Sequence, residues 1–297
     1  MLEAPLPGGR GSLEPVRVSA ASILLAEPRP QGSGMTKLAE IILVVLLTAS
    51  LAIGLVPGAS YSHQNRDITA AAPSLKFPLG TDDLGRDRLT RLLYATRISM
   101  LLAATAAAAT IALAFLIGGL AGYYGGLCDR LIASILDLML SLPWLFLLLA
   151  VRALLPLNAS PVTSLIATYA MMAAVGWAAP ARIVRAGVRN FRHSEFVLQA
   201  RAQGCPETRV LLRHILPNLR PVLVAQFWTA IPVFILAEAN LGFLGLSASD
   251  PFPTWGTLLK ELQSPLLLRP EAFAPAVAIA VSLLCFKLIT PWGGSQV

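Results

Sequence analysis

The chain has 297 residues, of which 56% are hydrophobic and only 13% charged. Soluble domains carry about 25% charged residues, so this composition excludes an ordinary water-soluble enzyme. It also excludes a disordered chain, because disorder requires low hydrophobicity. With a mean hydropathy of +0.68, the composition predicts an all-α, polytopic membrane protein, and about six spanning helices of about 20 residues each fit its length.

The basic excess is the second feature of the composition, with a net charge of +7. In a soluble protein such an excess suggests a nucleic-acid partner. In a membrane protein, Lys and Arg collect in cytoplasmic loops and fix the topology, so we expect membrane lipid and no nucleic acid as a partner. The three cysteines, Cys128, Cys205 and Cys285, are scattered and predict neither a disulfide nor a metal site.

The N-terminal part divides into a tail, an anchor and a polar segment. Residues 1–36 are rich in Pro and Gly and predict a flexible cytoplasmic tail, in which Met35 is an alternative start to Met1. Residues 37–57 contain the apolar run Leu38 to Val56 and predict the first spanning helix. A signal peptide is the rival interpretation, but the run is long for one and further spans follow. Residues 58–97 are then an external segment.

Residues 98–292 form the predicted core domain, followed by a C-terminal tail at 293–297. Six spans place both termini on the side of the arginine-rich segment 182–220, which the positive-inside rule assigns to the cytoplasm. Six basic residues in the external segment do not agree with this assignment, because the rule expects few Lys and Arg outside. The five core spans are predicted at about 98–122, 131–151, 161–181, 221–241 and 272–289.

Motifs of catalysis are absent from the sequence. None of the four lysines follows a glycine, so there is no phosphate-binding P-loop. The three histidines form no HExxH spacing, and no GxSxG nucleophile motif occurs. We therefore expect a protein that is not itself an enzyme and that holds no metal and no cofactor.

The most informative polar segment is the loop 186–220. Residues 189–203 are good helix formers, and Gly204 is a natural C-terminal stop because it tolerates the left-handed conformation. Pro206 and Glu207 then favour a new helix start. In this second helix we expect Arg209 and Arg213 one turn apart on one face. The opposite face is predicted to carry Leu212, Ile215 and Leu216.

The resulting helix–glycine–helix elbow has two interpretations. A rigid, arginine-rich elbow is suited to docking into a groove of a partner protein. A basic juxtamembrane helix that lies on anionic lipid is equally common. The residues alone do not separate these interpretations.

The spacing of Gln199-Ala200, Gly204 and His214–Pro217 resembles the EAA loop of ABC importer permeases. In that family the loop holds the coupling helix that contacts the ATPase subunit. The triplet Leu198-Gln199-Ala200 lacks the usual acid, although Glu195 lies one turn upstream. The coupling residues that the resemblance implies are Glu195, Gln199, Ala200, Gly204, Arg209, Arg213, His214, Ile215, Leu216 and Pro217.

Two further segments resemble one branch of that family, the second permease of dipeptide, oligopeptide and nickel importers. Residues 77–87, FPLGTDDLGRD, are similar to the PLGTDxLGRD signature of the branch. Residues 238–246 and 253–256 are similar to its EAxLSFLGLG and SWG block. The resemblance covers about residues 36–286, and the chain departs from the branch after Lys287. The external motif residues are Gly80, Thr81, Asp82, Gly85, Arg86 and Asp87.

The resemblance implies a type I ABC importer permease fold in a bacterial-type inner membrane, driven by ATP that separate subunits hydrolyse. The implied partners are a homologous second permease, two ABC ATPases and an extracytoplasmic substrate-binding protein. The implied substrates are di- or oligopeptides or nickel. An ion-coupled secondary transporter would need paired broken helices. A non-transporting membrane scaffold would leave the external motifs unexplained.

Three polar residues in or near the spans are candidates for the translocation path. Ionisable groups within spans are costly and face the bundle interior. They either line a path or pair with a buried partner, an arginine or a backbone amide, and for Asp137 we favour such a pairing. For Glu238 both interpretations stand, and Asn240 belongs to the same candidate set.

Overall fold

The computed structural model describes residues 34–154, 160–247, 251–263 and 269–290. These residues are mostly helical and form no β-strand, and they contain one isolated bridge, between Thr81 and Asp87. The all-α prediction is therefore confirmed. Most of the predicted N-terminal tail and all of residues 293–297 lie outside the described residues.

Five helical segments are long and apolar enough to cross a membrane, and a bent helix pair raises this number to six if it counts as one span. The prediction of about six spans is confirmed within the described part of the chain. The five segments are α1 (Gly34–Leu55), α2 (Arg88–Tyr124), the α5–α6 run (Pro161–Phe191), α8 (Glu207–Phe243) and α10 (Pro270–Ile289). The remaining helices are α3 (Gly126–Ser141), α4 (Trp144–Ala153), α7 (Glu195–Ala202) and α9 (Trp255–Leu259).

Helix α2 begins at Arg88, inside the segment 58–97 that the sequence assigned to an external loop. The side chain of Asp87 caps it and accepts hydrogen bonds from the backbone N–H groups of Leu89 and Thr90, both at 3.2 Å. Such a cap satisfies two donors that have no partner within the helix. The arginines of the first turns hide this start from a hydropathy pattern, which detects only the apolar part.

The predicted third span, 131–151, is not one straight helix. Helices α3 and α4 meet at an angle of 90°. Pro143 lacks a backbone N–H, and Leu142 before it has an extended backbone with ψ of 135°. A proline excludes the helical conformation from the residue that precedes it, and this explains the break.

The polar segment 182–220 is also more continuous with the membrane helices than its composition suggests. Helix α6 (Ala178–Phe191) follows α5 (Pro161–Gly176) in one long run, and α8 contains both the second helix of the elbow and the predicted fifth span. A π-helical stretch at Val210–Ile215 lies within α8. The second arm of the elbow and the predicted fifth span are therefore parts of one helical segment.

Helix α2 lies at the centre of the described residues and packs along α8. Its inner face is rich in buried alanines, and small residues let helix backbones approach closely. A Cβ atom on Gly122 would lie 2.5 Å from the carbonyl oxygen of Arg185. Glycine at this position therefore permits direct backbone contact between α2 and α6.

Candidate functional site

The elbow consists of α7, Gly204 and the first turns of α8. Gly204 has φ of +78°, a conformation that only glycine adopts at low cost. The N–H of Cys205 donates to the carbonyl of Ala200 at 3.1 Å and closes the end of α7. Pro206 then precedes the first residue of α8, Glu207. The local structure has the helix–glycine–helix arrangement that the sequence predicted.

A small hydrophobic cluster holds the two arms of the elbow together. Val197 and Ala200 of α7 are buried against Val210, Leu211 and Ile215 of α8. The predicted apolar face of α8 was wrong in one respect, because Leu212 is 56% exposed and Val210 and Leu211 are buried instead. The π-helical stretch, with its wider turn, displaces the buried face from the positions expected for an α-helix.

A polar contact anchors the elbow to the end of α2. The buried Tyr123 donates its hydroxyl to the carboxylate of Glu207. Arg201 of α7 donates to the same carboxylate at 3.2 Å, and its guanidinium lies 5.3 Å from the centre of the Tyr123 ring. These three residues join α2, α7 and α8, and sequence reasoning missed Tyr123 because nothing local distinguishes it from an interfacial tyrosine.

A second anchor joins α3 to α6 close by. Arg185 donates from Nε and Nη2 to the two carboxylate oxygens of Asp129 at 2.5 and 2.8 Å. Such two-point pairs fix geometry as well as charge. The helices around the elbow are therefore held by directional contacts as well as by apolar packing.

The predicted coupling residues divide into an outer and an inner set. Ala200 and Ile215 are buried in the cluster, whereas His214 and Leu216 are partly buried. Leu198, next to them, is 52% exposed. The exposed members of the predicted set, which include two arginines and one glutamate, are Glu195, Gln199, Gly204, Arg209, Arg213 and Pro217.

The external motif lies at the other end of α2. Thr81 donates its hydroxyl to the carbonyl of Ile68 at 2.6 Å and accepts from the N–H of Ala71 at 2.9 Å. Gly80 and Gly85 have φ of +68° and +72°, and a Cβ on either would collide with a backbone carbonyl. The motif therefore folds the segment before α2 into one fixed shape.

The centre of this shape is an arginine cluster formed by Asp82, Arg86, Arg88, Arg91 and Glu261. Asp82 accepts from Arg86 Nε at 2.7 Å and from Arg91, and Arg91 also donates to Glu261 at 3.0 Å. Burial raises the pKa of Asp82, but hydrogen bonds from Arg86 and the charges of both arginines outweigh it, so its pKa is lowered. Burial raises the pKa of Glu261 more than its arginine neighbours lower it.

The three path candidates have separate environments. Glu238 is fully buried and accepts from Ser247 at 2.8 Å and from the N–H of Gly256 at 3.3 Å, so it tethers the segment before α9. Asp137 pairs with Arg182, the kind of partner that we favoured, but its side chain is 72% exposed in this chain. Asn240 is exposed near the end of α8.

Arg152 is a buried charge that sequence reasoning missed. It donates from Nε to the carbonyl of Leu246 at 2.5 Å and from Nη2 to Ser164 at 2.8 Å. It therefore ties α4 to α5 and to the segment after α8. Its isolated position in an apolar run was the available signal, because charges in membrane helices pair internally.

The chain is similar in sequence to a known protein family and to individual transport proteins. The family described as binding-protein-dependent transport system inner membrane component matches residues 114–293. The dipeptide transport system permease protein DppC of Alkalihalophilus pseudofirmus is 34% identical over 250 residues, which cover 84% of this chain and 80% of the relative. The glutathione transport system permease protein GsiD of Pectobacterium atrosepticum is 32% identical over 249 residues, covering 84% and 81%.

A third relative, the dipeptide transport system permease protein DppC of Bacillus subtilis, is 32% identical over 221 residues, which cover 73% of this chain and 67% of the relative. The matches confirm the resemblance inferred from the motifs and the multi-pass location in the inner membrane. This chain belongs to the family of inner-membrane components of binding-protein-dependent transport systems, as one of its transport permeases.

Proposed function

We propose that this chain is one of two permease subunits of an ATP-driven peptide importer, and that the elbow couples it to the ATPases. The observation that carries the proposal is the elbow itself, whose outer surface is exposed and presents Arg209 and Arg213 while its inner face is anchored to two membrane helices. A segment that transmits the motion of an ATPase subunit to the membrane helices needs an exposed surface for contact and a firm attachment to those helices. An elbow that only lay on lipid would not require the anchor at Tyr123.

The names of the relatives support peptides as the substrate class. They are called permeases of dipeptide and of glutathione transport, and glutathione is itself a small peptide. Nickel, the alternative from the sequence, finds less support. Among the described residues no group of three or more His, Cys, Asp or Glu side chains could hold a metal ion.

The proposed mechanism is alternating access. Two ATPase subunits bind ATP and close, and each one displaces a coupling elbow. Because the second arm of the elbow and the span belong to one helical segment, α8, from Glu207 to Phe243, the displacement of the elbow tilts a spanning helix directly. A homologous second permease completes the path, and an extracytoplasmic binding protein delivers the substrate to the end that carries the arginine cluster.

Purification of the tagged chain from its native membrane tests the partners. We expect a second permease and two ABC-type ATPases to co-purify, as identified by mass spectrometry. The complex, reconstituted into proteoliposomes with its binding protein, should take up labelled dialanine or glutathione only when ATP is supplied. Uptake driven by an ion gradient without ATP would instead establish a secondary transporter, for which the broken α3–α4 pair is the structural argument.

The double variant Arg209→Glu and Arg213→Glu tests the coupling surface within the same complex. We expect membrane insertion to be retained and uptake to be lost, because both charges that face the ATPase are reversed. The matched control is Arg130→Glu, which changes another exposed arginine outside the elbow. Equal uptake by the double variant and the control would refute the coupling role.

A further inference from the structure

An apolar cavity of about 370 Å³ lies between the break of α3 and α4, the junction of α5 and α6, and the middle of α8. Its volume is within the range of roughly 300–1,000 Å³ that small-molecule sites occupy. None of its lining side chains is ionisable, and its polar side-chain groups are those of Gln226 and Thr229 and the indole N–H of Trp144. The wall that this subunit supplies is thus suited to an uncharged part of a ligand.

Irregular backbone surrounds this cavity. Leu142 and Trp144 flank the 90° break, Gly176 ends α5 before Trp177, and Pro232 interrupts the hydrogen-bond ladder of α8 beside Val233. In a membrane, non-helical backbone is tolerated where protein covers it or where it lines a water-filled cavity. This distinguishes the cavity from an ordinary lipid-facing groove.

Gln226 is the polar group that remains available in the cavity. The Thr229 hydroxyl already donates to the carbonyl of Ala225 in its own helix at 2.8 Å. The Gln226 amide makes no side-chain hydrogen bond with the described residues, although it lies near the middle of the 37-residue helix α8. An amide that faced hydrocarbon without a partner would be costly, so we expect the Gln226 side chain to bond a polar group that lies outside the described residues.

An aromatic pair forms the adjacent wall. The rings of Trp144 and Phe234 stack with their centres 5.8 Å apart and their planes at 27°. The pair lies over Gly176, where a Cβ atom would be 2.9 Å from the Phe234 ring. A flat apolar surface therefore lies beside one amide that can both donate and accept.

We propose that this cavity is a substrate subsite, in which Gln226 bonds a backbone amide of a transported peptide and Trp144 and Phe234 contact an apolar side chain. The inference rests on the proposed function and specifies the substrate contact of this subunit. Glutamine is suited to a peptide group because its side-chain amide has both N–H donors and a carbonyl acceptor, so it can bond either the C=O or the N–H of a peptide backbone. A bare metal ion would find no ionisable ligand on this wall.

Uptake of dileucine by the reconstituted complex tests the polar contact. We expect Gln226→Leu to lower ATP-driven uptake at limiting peptide by about five- to tenfold, the effect of one lost hydrogen bond. Thr48→Val is the control, because that hydroxyl bonds carbonyls of its own helix α1, and we expect its uptake to equal that of the wild type. Equal uptake by Gln226→Leu and the control would overturn the subsite.

Chemical labelling tests the cavity without relying on transport. In a complex whose chain carries Cys128→Ser, Cys205→Ser and Cys285→Ser, the further substitution Gln226→Cys should react with a membrane-impermeant thiol reagent in at least one nucleotide state, and dileucine should slow the reaction. Val44→Cys, on an exposed apolar face of α1, should not react. A Cys at 226 that stays unreactive in every state, or that dileucine does not protect, would refute the subsite.

The two proposals fail in different ways. A wild-type complex without ATP-driven uptake would refute the importer function. A wild-type complex that transports dileucine, combined with an unaffected Gln226→Leu variant, would refute only the subsite.

Discussion

At the scale of single residues, burial decides which charged side chains contribute to the stability of the fold. Asp82 and Asp83 are neighbours in the external motif, but Asp82 is 3% exposed and paired with two arginines, whereas Asp83 is exposed. Removing one partner of a buried pair leaves an uncompensated charge. The same substitution should therefore have very different effects at these two positions.

We predict that Asp82→Asn lowers the free energy of unfolding at neutral pH by about 3 kcal/mol. Because the pKa of Asp82 is lower in the folded protein than its ordinary value of 3.8, its contribution is present above that pH and is lost as the pH falls through the folded pKa. The difference between variant and wild type should therefore shrink in acid. Thermal unfolding of the purified protein measures this, with Asp83→Asn as the control. Equal stability of the two variants at neutral pH would contradict the prediction.

At the scale of elements, the elbow depends on the backbone conformation that joins its two helices. Gly204 has φ of +78°, and a Cβ added to it would meet no atom within 4 Å. A substitution there therefore changes the backbone preference without a steric collision. Gly58, in the segment after α1, has nearly the same properties, with φ of +82° and open space.

These two glycines provide a matched pair. Gly204→Val should reduce ATP-driven uptake at least tenfold while the chain still inserts, because the left-handed conformation costs a non-glycine residue about 1–2 kcal/mol and the arms of the elbow shift. Gly58→Val introduces the same strain away from the elbow and should transport normally. Uptake and ATP hydrolysis are measured together. If both variants transported alike, the angle of the elbow would not matter for coupling.

At the scale of the whole molecule, helix α2 extends from the arginine cluster of the external motif to the elbow. Its 37 residues span about 55 Å, from the arginine cluster at its first turns to Tyr123 at its last. Arg91 bonds Glu261 at one end, and Tyr123 bonds Glu207 at the other. One helix therefore contacts both the predicted outer face and the elbow.

The hydrogen bond from the Tyr123 hydroxyl to Glu207 is the contact between α2 and the elbow that a single substitution can remove. Tyr123→Phe should keep the ring and its packing but lose the bond to Glu207, so ATP hydrolysis should continue while its stimulation by the binding protein falls several-fold. Tyr124→Phe is the matched control, since Tyr124 is 59% exposed and makes no side-chain hydrogen bond with the described residues. The measurement is the rate of ATP hydrolysis in proteoliposomes with the binding protein, divided by the rate without it. Retention of the full ratio in Tyr123→Phe would show that α2 does not carry the signal.

The sequence by itself determined the class, the family and the position of the elbow. These depend on local signals, namely apolar runs of spanning length, ordered motifs, and a glycine between two helix-forming segments. These local signals could not predict the π-helical stretch that leaves Leu212 exposed, because the apolar periodicity is interpreted as that of a regular α-helix. The start of α2 at Arg88 was missed for a similar reason, since hydropathy does not detect a polar first turn.

Only the tertiary structure decided which polar residues meet. Arg91 and Glu261 are separated by 170 positions, and the contacts of Tyr123, Arg152 and Glu238 likewise join segments that are distant along the chain or on different elements. The stabilisation of a buried charge depends on the partner that packing brings to it, and no local pattern encodes that partner. The helices could therefore be predicted from the sequence, whereas the polar contacts between them depend on how the helices pack.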